Sequence, residues 1–512
     1  MADGLETELK LAATPAMLLH LRGHALLAGK DHAATLVARY FDTKEGALHE
    51  AGAALRLRED GTRAEQTFKI RGNGSLHRSE WNVPARGGEP DPAAFSARPR
   101  KVLESLVNGA SLHQLAMTRI ERTTRRLRFG ASTIEAAFDS GTVEAGRRRE
   151  TISELELELV KGSAIDLFAL ARQLPLGPGL VWSVGSKGER GHALALKLPF
   201  AATRASDVPL SGGMTVAQGF QAIAWNCLAH LLGNYREIIA SGNPEAVHQS
   251  RVAMRRLRAA FSLFGEYLDK AESAAFRAEW KAAASGLGPA RDLHVLIERV
   301  EAAAAEHASD AGELLDRLRR LRTGATRAAK TLLAGKDFQH LLVRFAEWLE
   351  RGPVQSDEPL AAFASRTLGR RRRRFVKAGP LGKLSDEALH RLRIKGKKLR
   401  YAAEFFAPLY PGEGAARASR AFGKALGKVQ DCLGSVHDLA VAHDQHANLF
   451  AGIEPVTAAR LSARFAELLE SHGPGRRKLV KAAAKAIARI EDTPAWWKPP
   501  AGADASAPAA AD

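Results

Sequence analysis

Leu5-Glu6-Thr7-Glu8-Leu9-Lys10-Leu11 decides the fold of the first half of this chain. Glu6, Glu8 and Lys10 fall on one face and Leu5, Leu9 and Leu11 on the other, the period of two that a β-strand imposes. Stretches 53–58, 66–70, 77–83, 122–129, 133–138 and 153–160 repeat that period. The breaks Asp60-Gly61, Gly72-Asn73-Gly74 and Asp139-Ser140-Gly141 predict turns between strands. Helical patterns intervene around 15–28, 98–108 and 164–174. Several antiparallel strands at short spacing predict a sandwich or a barrel. The alternation has an unusual partner face. Glu6/Glu8/Lys10, Arg56/Arg58 and Glu154/Glu156/Glu158 are faces of charge alone. Either each is solvated, as in an ordinary half-buried sheet, or the sheet closes into a barrel with a charged lumen and helices outside.

The remainder of the chain changes period. Phe220, Ile223, Ala224, Cys227, Leu228 and Leu231 recur at three and four, which predicts an all-α bundle. Segment 203–209 reads as the boundary, 351–359 as an internal linker and 498–512 as a low-complexity tail expected to be disordered. The expected domains are therefore 1–203 and 210–495, the second divided at about 350–360. Trp496-Trp497 are expected to cap the bundle. Of the 512 residues, 75 are Lys or Arg and 57 Asp or Glu, a net charge of +18. The first 200 residues hold 28 basic against 24 acidic groups, so most of the excess lies in the helical part. Such a chain seeks polyanions. Two cysteines, Cys227 and Cys432, exclude a disulfide framework or a cysteine zinc site and fit a reducing cytoplasm. Neither a secretory leader nor a membrane-spanning segment is expected.

The helical part contains itself twice. His248, Arg251, Arg255, Arg256 and Arg258 reappear as His390, Arg393, Lys397, Lys398 and Arg400, at the same offsets from each histidine. Leu287-Gly288 with Arg291-Asp292 reappears as Leu426-Gly427 with Gln430-Asp431. This is internal duplication. At ~100° per residue, offsets 0, 3, 7 and 10 lie within about 80° of one another. Each histidine thus heads a basic stripe along one helix, flanked by Arg256 or Lys398. Like charges three and four apart destabilise a helix, so two acid-poor stripes call for an anion. The Arg370–Arg374 run adds charge less directionally. Aromatic content is only 6%, and stacking aromatics are missing from the stripes until Tyr401, which favours phosphate over nucleic acid.

In the strand half, Glu6, Glu8, Glu154 and Glu156 offer the hard oxygen ligands that Mg²⁺ or Mn²⁺ prefers. Lys10, Arg56, Arg58 and Lys69 would neutralise phosphate oxygens. The chemistry this supports is metal-assisted phosphoanhydride hydrolysis. No Gly-x-x-x-x-Gly-Lys-Ser/Thr loop occurs, so a P-loop enzyme is not expected.

Glu6-Thr-Glu8-Leu-Lys10 resembles the Glu-x-Glu-x-Lys signature of the CYTH family, the triphosphate tunnel metalloenzymes. Tyr40-Phe-Asp42-Thr43, Leu55-Arg56-Leu57-Arg58, Thr67-Phe-Lys69, Arg78-Ser-Glu80-Trp81, the Glu154–Glu158 strand and Ser186-Lys187-Gly-Glu-Arg190-Gly191 are similar to that family in the same order. The helical half resembles the CHAD domain, the conserved histidine α-helical domain, in its two stripes and its paired Leu-Gly-x-x-x-Asp. The resemblance implies an α+β multidomain chain: an antiparallel eight-stranded β-tunnel with covering helices, then an all-α duplicated bundle. It implies an inorganic triphosphatase requiring Mg²⁺ or Mn²⁺. Glu6, Glu8 and Lys10 would be catalytic. Glu6, Glu8, Glu154 and Glu156, with Glu135 and Asp139, would lie on the metal side. Lys10, Arg56, Arg58, Lys69 and Lys187, with Arg122, Arg126 and Arg190, would hold substrate, and Glu158 would line the lumen. CHAD similarity implies binding of long-chain polyphosphate and association with polyphosphate granules. The same family also implies alternatives: a thiamine triphosphatase, an adenylate cyclase, or a polyphosphate-binding protein without turnover. Lys397, Lys398 and Gln430 depart from the first copy, and lysine cannot chelate phosphate in the bidentate manner of arginine.

Overall fold

The computed structural model describes residues 4–61, 63–71, 78–197, 201–306, 310–470 and 475–498, with backbone only at 4–6, 71, 78, 437–448 and 469–470. Ten strands run in order: β1 Gly4–Glu6, β2 Glu8–Ala13, β3 His32–Asp42, β4 Ala53–Glu59, β5 Ala64–Arg71, β6 Arg78–Pro84, β7 His113–Phe129, β8 Ser132–Ala145, β9 Arg148–Lys161 and β10 Leu180–Ser183. Helices α1 Pro15–Arg22, α2 Ala47–Glu50, α3 Ala97–Val107, α4 Ala164–Arg172 and α5 Lys187–Leu196 interrupt them. The pairing order is β1-β6-β5-β4-β3-β7-β8-β9-β2-β10, antiparallel throughout.

The N-terminal segment closes this sheet. Its first part, β1, pairs with β6, with Gly4 opposite Glu80 and Glu6 opposite Arg78. Past Thr7 its second part, β2, pairs with β9, with Glu8 opposite Glu158. Counted once, that segment completes a ring of eight strands, and β10 adds a short ninth along β2. Closure answers why the charged faces exist: they point inward, where they meet one another. The leucine faces point outward under helices. Leu55, Leu57 and Phe68 are buried with Leu48 of α2, Leu103 of α3 and Phe95. Leu9, Leu11, Leu155 and Leu157 are fully buried on β2 and β9, where α1 packs.

The turn predicted at Asp139-Ser140-Gly141 does not exist; all three residues lie inside β8. Glycine stands there for a different reason. A Cβ on Gly141 would lie 2.0 Å from the Arg119 carbonyl oxygen of β7, so the strand crossing tolerates no side chain. Gly141→Ala is expected to cost about 3 kcal/mol or more through forced separation of β7 and β8, read as a lower Tm. A Tm within 2 °C of the parent would refute this close approach.

The helical region comprises α6 Val216–Ala240, α7 Pro244–Leu263, α8 Lys270–Gly286, α9 Gly288–Glu306, α10 Gly312–Ala334, α11 Lys336–Glu350, α12 Leu360–Val376, α13 Asp386–Phe406, α14 Glu413–Leu449, α15 Pro455–Glu470 and α16 Arg476–Asp492. The order repeats, with one difference. The first copy breaks between α8 and α9 at Leu287-Gly288-Pro289, whereas Leu426-Gly427-Lys428 lets α14 run through for 37 residues. Proline fits a first helical turn but not an interior. Segment 351–359 is held by bridges between Leu268 and Val354 and between Thr215 and Pro359.

Two compact units form. One holds Met1–Ser206 with Trp225–Ala253 and Ala328–Pro353; the other holds Asp207–Ala224, Met254–Arg327 and Val354–Asp512. In the first, helical segments pack directly on the strand half. The Trp225 ring lies 6.0 Å from Phe168, the Trp182 amide donates to Gln339 Oε1 at 2.9 Å, and Arg172 pairs with Glu347 at 2.9 Å. In the second, Phe220, Phe261, Phe264, Phe363 and Phe406 form an aromatic core. Trp496 and Trp497 are buried against Tyr410 and Phe422, as caps. The tail beyond residue 498 lies outside the described residues.

Candidate functional site

Strand register stacks the lumen side chains in rows. Glu8, Glu158, Glu135 and Arg126 stand directly opposite one another across β2, β9, β8 and β7. One step inward, Lys10 faces Glu156. A further step brings Glu154, Asp139 and Arg122 into line. Beyond these, the same lumen face becomes apolar: Ala116, Ile120, Val143, Ala145 and Ile152 pack with Leu194 and Ala195 of α5. Helix α5 thus plugs one end of the barrel. Ser186 caps its start and is capped in return by the Glu189 side chain, while Arg148 donates to the Ala195 carbonyl near its end at 3.4 Å. A Cβ on Gly191 would lie 2.7 Å from Ala116 Cβ, so glycine lets the helix seat this deeply.

Lys187, at the first turn of α5, reaches the centre of the charged rows. Its ammonium lies 2.7 Å from Asp139 Oδ2 and 2.8 Å from Glu156 Oε1, and also pairs with Glu154. Lys10 pairs with Glu156 at 2.8 Å and Glu8 at 3.2 Å. Arg122 donates twice to Asp139, at 2.7 and 2.6 Å, and also to Glu156. Asp139 is fully buried and Glu154 is 2% exposed. Although burial opposes ionisation, Lys10, Lys187 and Arg122 hold the Glu156 carboxyl well below its usual range. Burial likewise opposes charge on Lys187, but Glu156, Glu154 and Asp139 raise its pKa well above the ordinary value. In the outer row the balance reverses. Burial, followed by Glu8, Glu135 and Glu80, pushes Glu158 up.

Across the lumen, Arg56 donates to Thr67 at 3.0 Å and lies 4.0 Å from Glu80, which also pairs with Lys69. Arg58 pairs with Glu65 at 2.8 Å, and its pKa is lowered by burial and by neighbouring Arg56. Arg126 is largely exposed beside Glu135. Arg190 is turned toward Glu150 at 2.6 Å, with Glu154 at 3.9 Å. The Glu6 side chain lies outside the described residues. Glu80 and Glu150 join the site without having been expected there; only strand pairing brings Glu80 beside Lys69, and only the seating of α5 brings Glu150 to Arg190.

His192, on α5, stacks on His49 with ring centroids 3.8 Å apart and lies 3.6 Å from Asp42. Burial and His49 bring its pKa down to about 4 from 6.5, against the pull of Asp42. The unfolded chain then binds the extra proton between these values. This contribution is present above pH 6.5 and lost as pH falls toward 4. His192→Gln is expected to flatten the Tm-versus-pH profile in that interval; an unchanged slope would exclude His192 as its source.

In the helical region, His248, Arg251, Arg255, Arg256 and Arg258 lie on α7, and His390, Arg393, Lys397, Lys398 and Arg400 on α13. Arg256 departs from the expected role. It is 1% exposed, pairs with Glu404 at 2.8 Å and lies 5.2 Å from the Phe405 ring, so it braces α13 rather than presenting charge. Arg255 Nε donates to Tyr401 Oη at 2.5 Å. Arg258, Lys398 and Arg400 are exposed, and the remaining stripe residues are half-buried. The Arg370–Arg374 run is likewise divided. Arg371 donates to the carbonyls of Lys398 and Ser262, and burial followed by Arg370 lowers it to about 10. Arg372 reaches the Glu491 carbonyl and lies over Trp497. Gln430 braces α14 against the Arg393 carbonyl at 3.1 Å.

The CYTH domain model matches residues 4–191 and the CHAD domain model residues 222–447. The chain joins a CYTH domain to a CHAD domain. Its N-terminal part is 32% identical over 197 residues to an inorganic triphosphatase of Haemophilus influenzae, a match covering 38% of this chain and 55% of that relative. The match therefore spans about half the length of the triphosphatase. An uncharacterised protein of Mycobacterium tuberculosis is 28% identical over 399 residues, 72% of this chain and 75% of the relative. The CHAD domain of Ricinus communis aligns at a TM-score of 0.48 with 27% identity, covering 57% of this chain and 97% of that one. No helix among the described residues is long and apolar enough to cross a membrane.

Proposed function

We propose that the CYTH tunnel hydrolyses inorganic triphosphate with Mg²⁺ or Mn²⁺, while the CHAD region binds long-chain polyphosphate and takes the protein to polyphosphate granules in the cytoplasm. The carrying observation is the lumen itself: carboxylates and cations interleave in adjoining rows inside a ring that α5 stops at one end. A site for anion binding alone gains nothing from buried carboxylates beside phosphate. Their presence favours hydrolysis over the scaffold reading, and similarity to a triphosphatase supports it. Thiamine triphosphate and ATP are alternative substrates of the same chemistry, and the substrate comparison below distinguishes them.

The donor set suits a hard divalent cation. Oxygens of Asp139, Glu154 and Glu156 all lie within 4.8 Å of one another, and the buried Glu8 Oε1 and Glu154 Oε1 are met only by the Lys10 and Lys187 ammonium groups among the described residues. These carboxylates, with Glu135 of the outer row and, by the resemblance to the family signature, Glu6, would hold the ion. Lys187 pairs with the same three carboxylates that would hold the ion, so its ammonium would stand beside the bound phosphate and contribute positive charge there. When bound, the ion supplies Lewis-acid polarisation of the phosphoryl group. Lys10, Arg56, Arg58, Lys69 and Arg122 neutralise the remaining oxygens, the arginines with two donors each, and Arg126 stands at the mouth. The apolar end seals the lumen from bulk water.

Phosphate release would be measured with Mg²⁺, Mn²⁺ and chelator, offering triphosphate, ATP, thiamine triphosphate and long-chain polyphosphate side by side. Metal-dependent turnover highest on triphosphate is expected. No turnover of any substrate, with long-chain binding intact, would overturn the enzymatic reading.

A further inference from the structure

We propose that Arg236, carried by α6 within the CHAD match, is a positioning residue for the CYTH tunnel: acting through Glu150, it sets the placement of Arg190. Arg190 donates to Glu150 Oε1 from Nε at 3.0 Å and Nη2 at 2.6 Å, and to the Thr151 carbonyl at 2.6 Å. Arg236 Nη2 donates to the same Glu150 oxygen at 3.3 Å. A Cβ on Gly185 would lie 3.4 Å from Arg236 Nη1, so that guanidinium occupies the space next to Gly185, two residues before Lys187. One side chain of the helical region therefore touches the carboxylate that anchors Arg190 and stands beside the segment that delivers Lys187. All these residues belong to one compact unit. The placement is fixed further along α6, where Asn234 donates to the Thr203 carbonyl at 2.8 Å.

The electrostatic logic concerns sharing. With Arg236 present, Glu150 has two cationic partners, and Arg190 keeps charge to spare for the lumen, where Glu154 lies 3.9 Å away. Without Arg236, Arg190 is the one arginine left on Glu150 among the described residues and is drawn toward the rim. Arg236 and Glu150 side chains are 43% and 40% exposed, so the effect is modest and screened by salt.

This inference rests on the triphosphatase reading, and the test separates the two. Arg236→Met in the full chain is expected to raise KM for triphosphate three- to five-fold with kcat within two-fold and Tm unchanged. Arg236→Lys should restore most of the loss, and the difference should shrink at high salt. In an Arg190→Met background the Arg236→Met change should add nothing, since the two act through one carboxylate. An unchanged KM, or an effect that adds fully to Arg190→Met, would overturn the proposal. If the parent protein does not hydrolyse triphosphate, the reading fails on its own. Calorimetric dissociation constants for inorganic triphosphate across the same variants then decide the Arg236 question separately.

Discussion

Glu156→Gln is expected to lower triphosphate turnover by about 10³-fold and to destabilise the strand domain at the same time. One carboxylate serves three buried cations: Lys10 and Lys187, each at 2.8 Å, and Arg122. An amide of equal size removes the charge and turns a donor toward ammonium groups. Breaking a buried ion pair by neutralising one member costs about 3–5 kcal/mol because the partner charge stays behind. At roughly 2–4 °C per kcal/mol for a domain of this size, Tm falls by about 10 °C. The catalytic loss combines a missing oxygen donor with misplacement of Lys10 and Arg122; a single preorganised electrostatic group is worth about 10²–10³ in kcat. The parent also carries a pH signature. Because the Glu156 pKa is depressed in the folded state, its stabilisation is present above the ordinary value of 4.5 and lost as pH falls below it. The variant should lack that acid-side slope. Glu156→Asp, which keeps the charge but withdraws it, should recover stability better than turnover. Turnover within ten-fold of the parent in Glu156→Gln would remove this residue from the machinery.

The second large effect concerns the helical stripes. Arg251→Glu together with Arg393→Glu is expected to weaken long-chain polyphosphate binding by at least about 10²-fold while leaving triphosphate turnover intact. The two positions are equivalent in the repeat, both are half-buried, and Arg393 Nε is buried without a hydrogen bond. Removing one cation that neutralises a phosphate should lower the slope of log affinity against log salt by about 0.7–0.9. Anisotropy of labelled long-chain polyphosphate at several salt concentrations reads both quantities. Arg256→Met supplies the contrast: removing the partner of Glu404 should lower Tm and leave the salt slope alone. Unchanged affinity in the double variant would move the binding surface elsewhere. Displacement of polyphosphate by duplex or single-stranded nucleic acid at equal phosphate concentration would defeat the polyphosphate assignment.

Alternation at 5–11, 53–58 and 153–160 was enough to announce strands, because a period of two is a local property of the backbone. The helix stripes were legible for the same reason, and so was the duplication. What the charged faces were for was not local. It depended on Thr7, where one segment passes from pairing with β6 to pairing with β9 and closes the ring. Gly141 read as a turn because glycine marks both turns and close approaches, and only the partner strand tells them apart. Arg256 sits beside the stripe on a helical wheel yet is buried, since which flank of α7 is covered depends on where α13 packs. Lys187 follows Glu156 by some thirty residues, with a helix between. The chain's own pattern determined which residue types alternate and repeat; the tertiary structure decided which charges meet, because ion pairs form by distance in space and sequence spacing does not encode it.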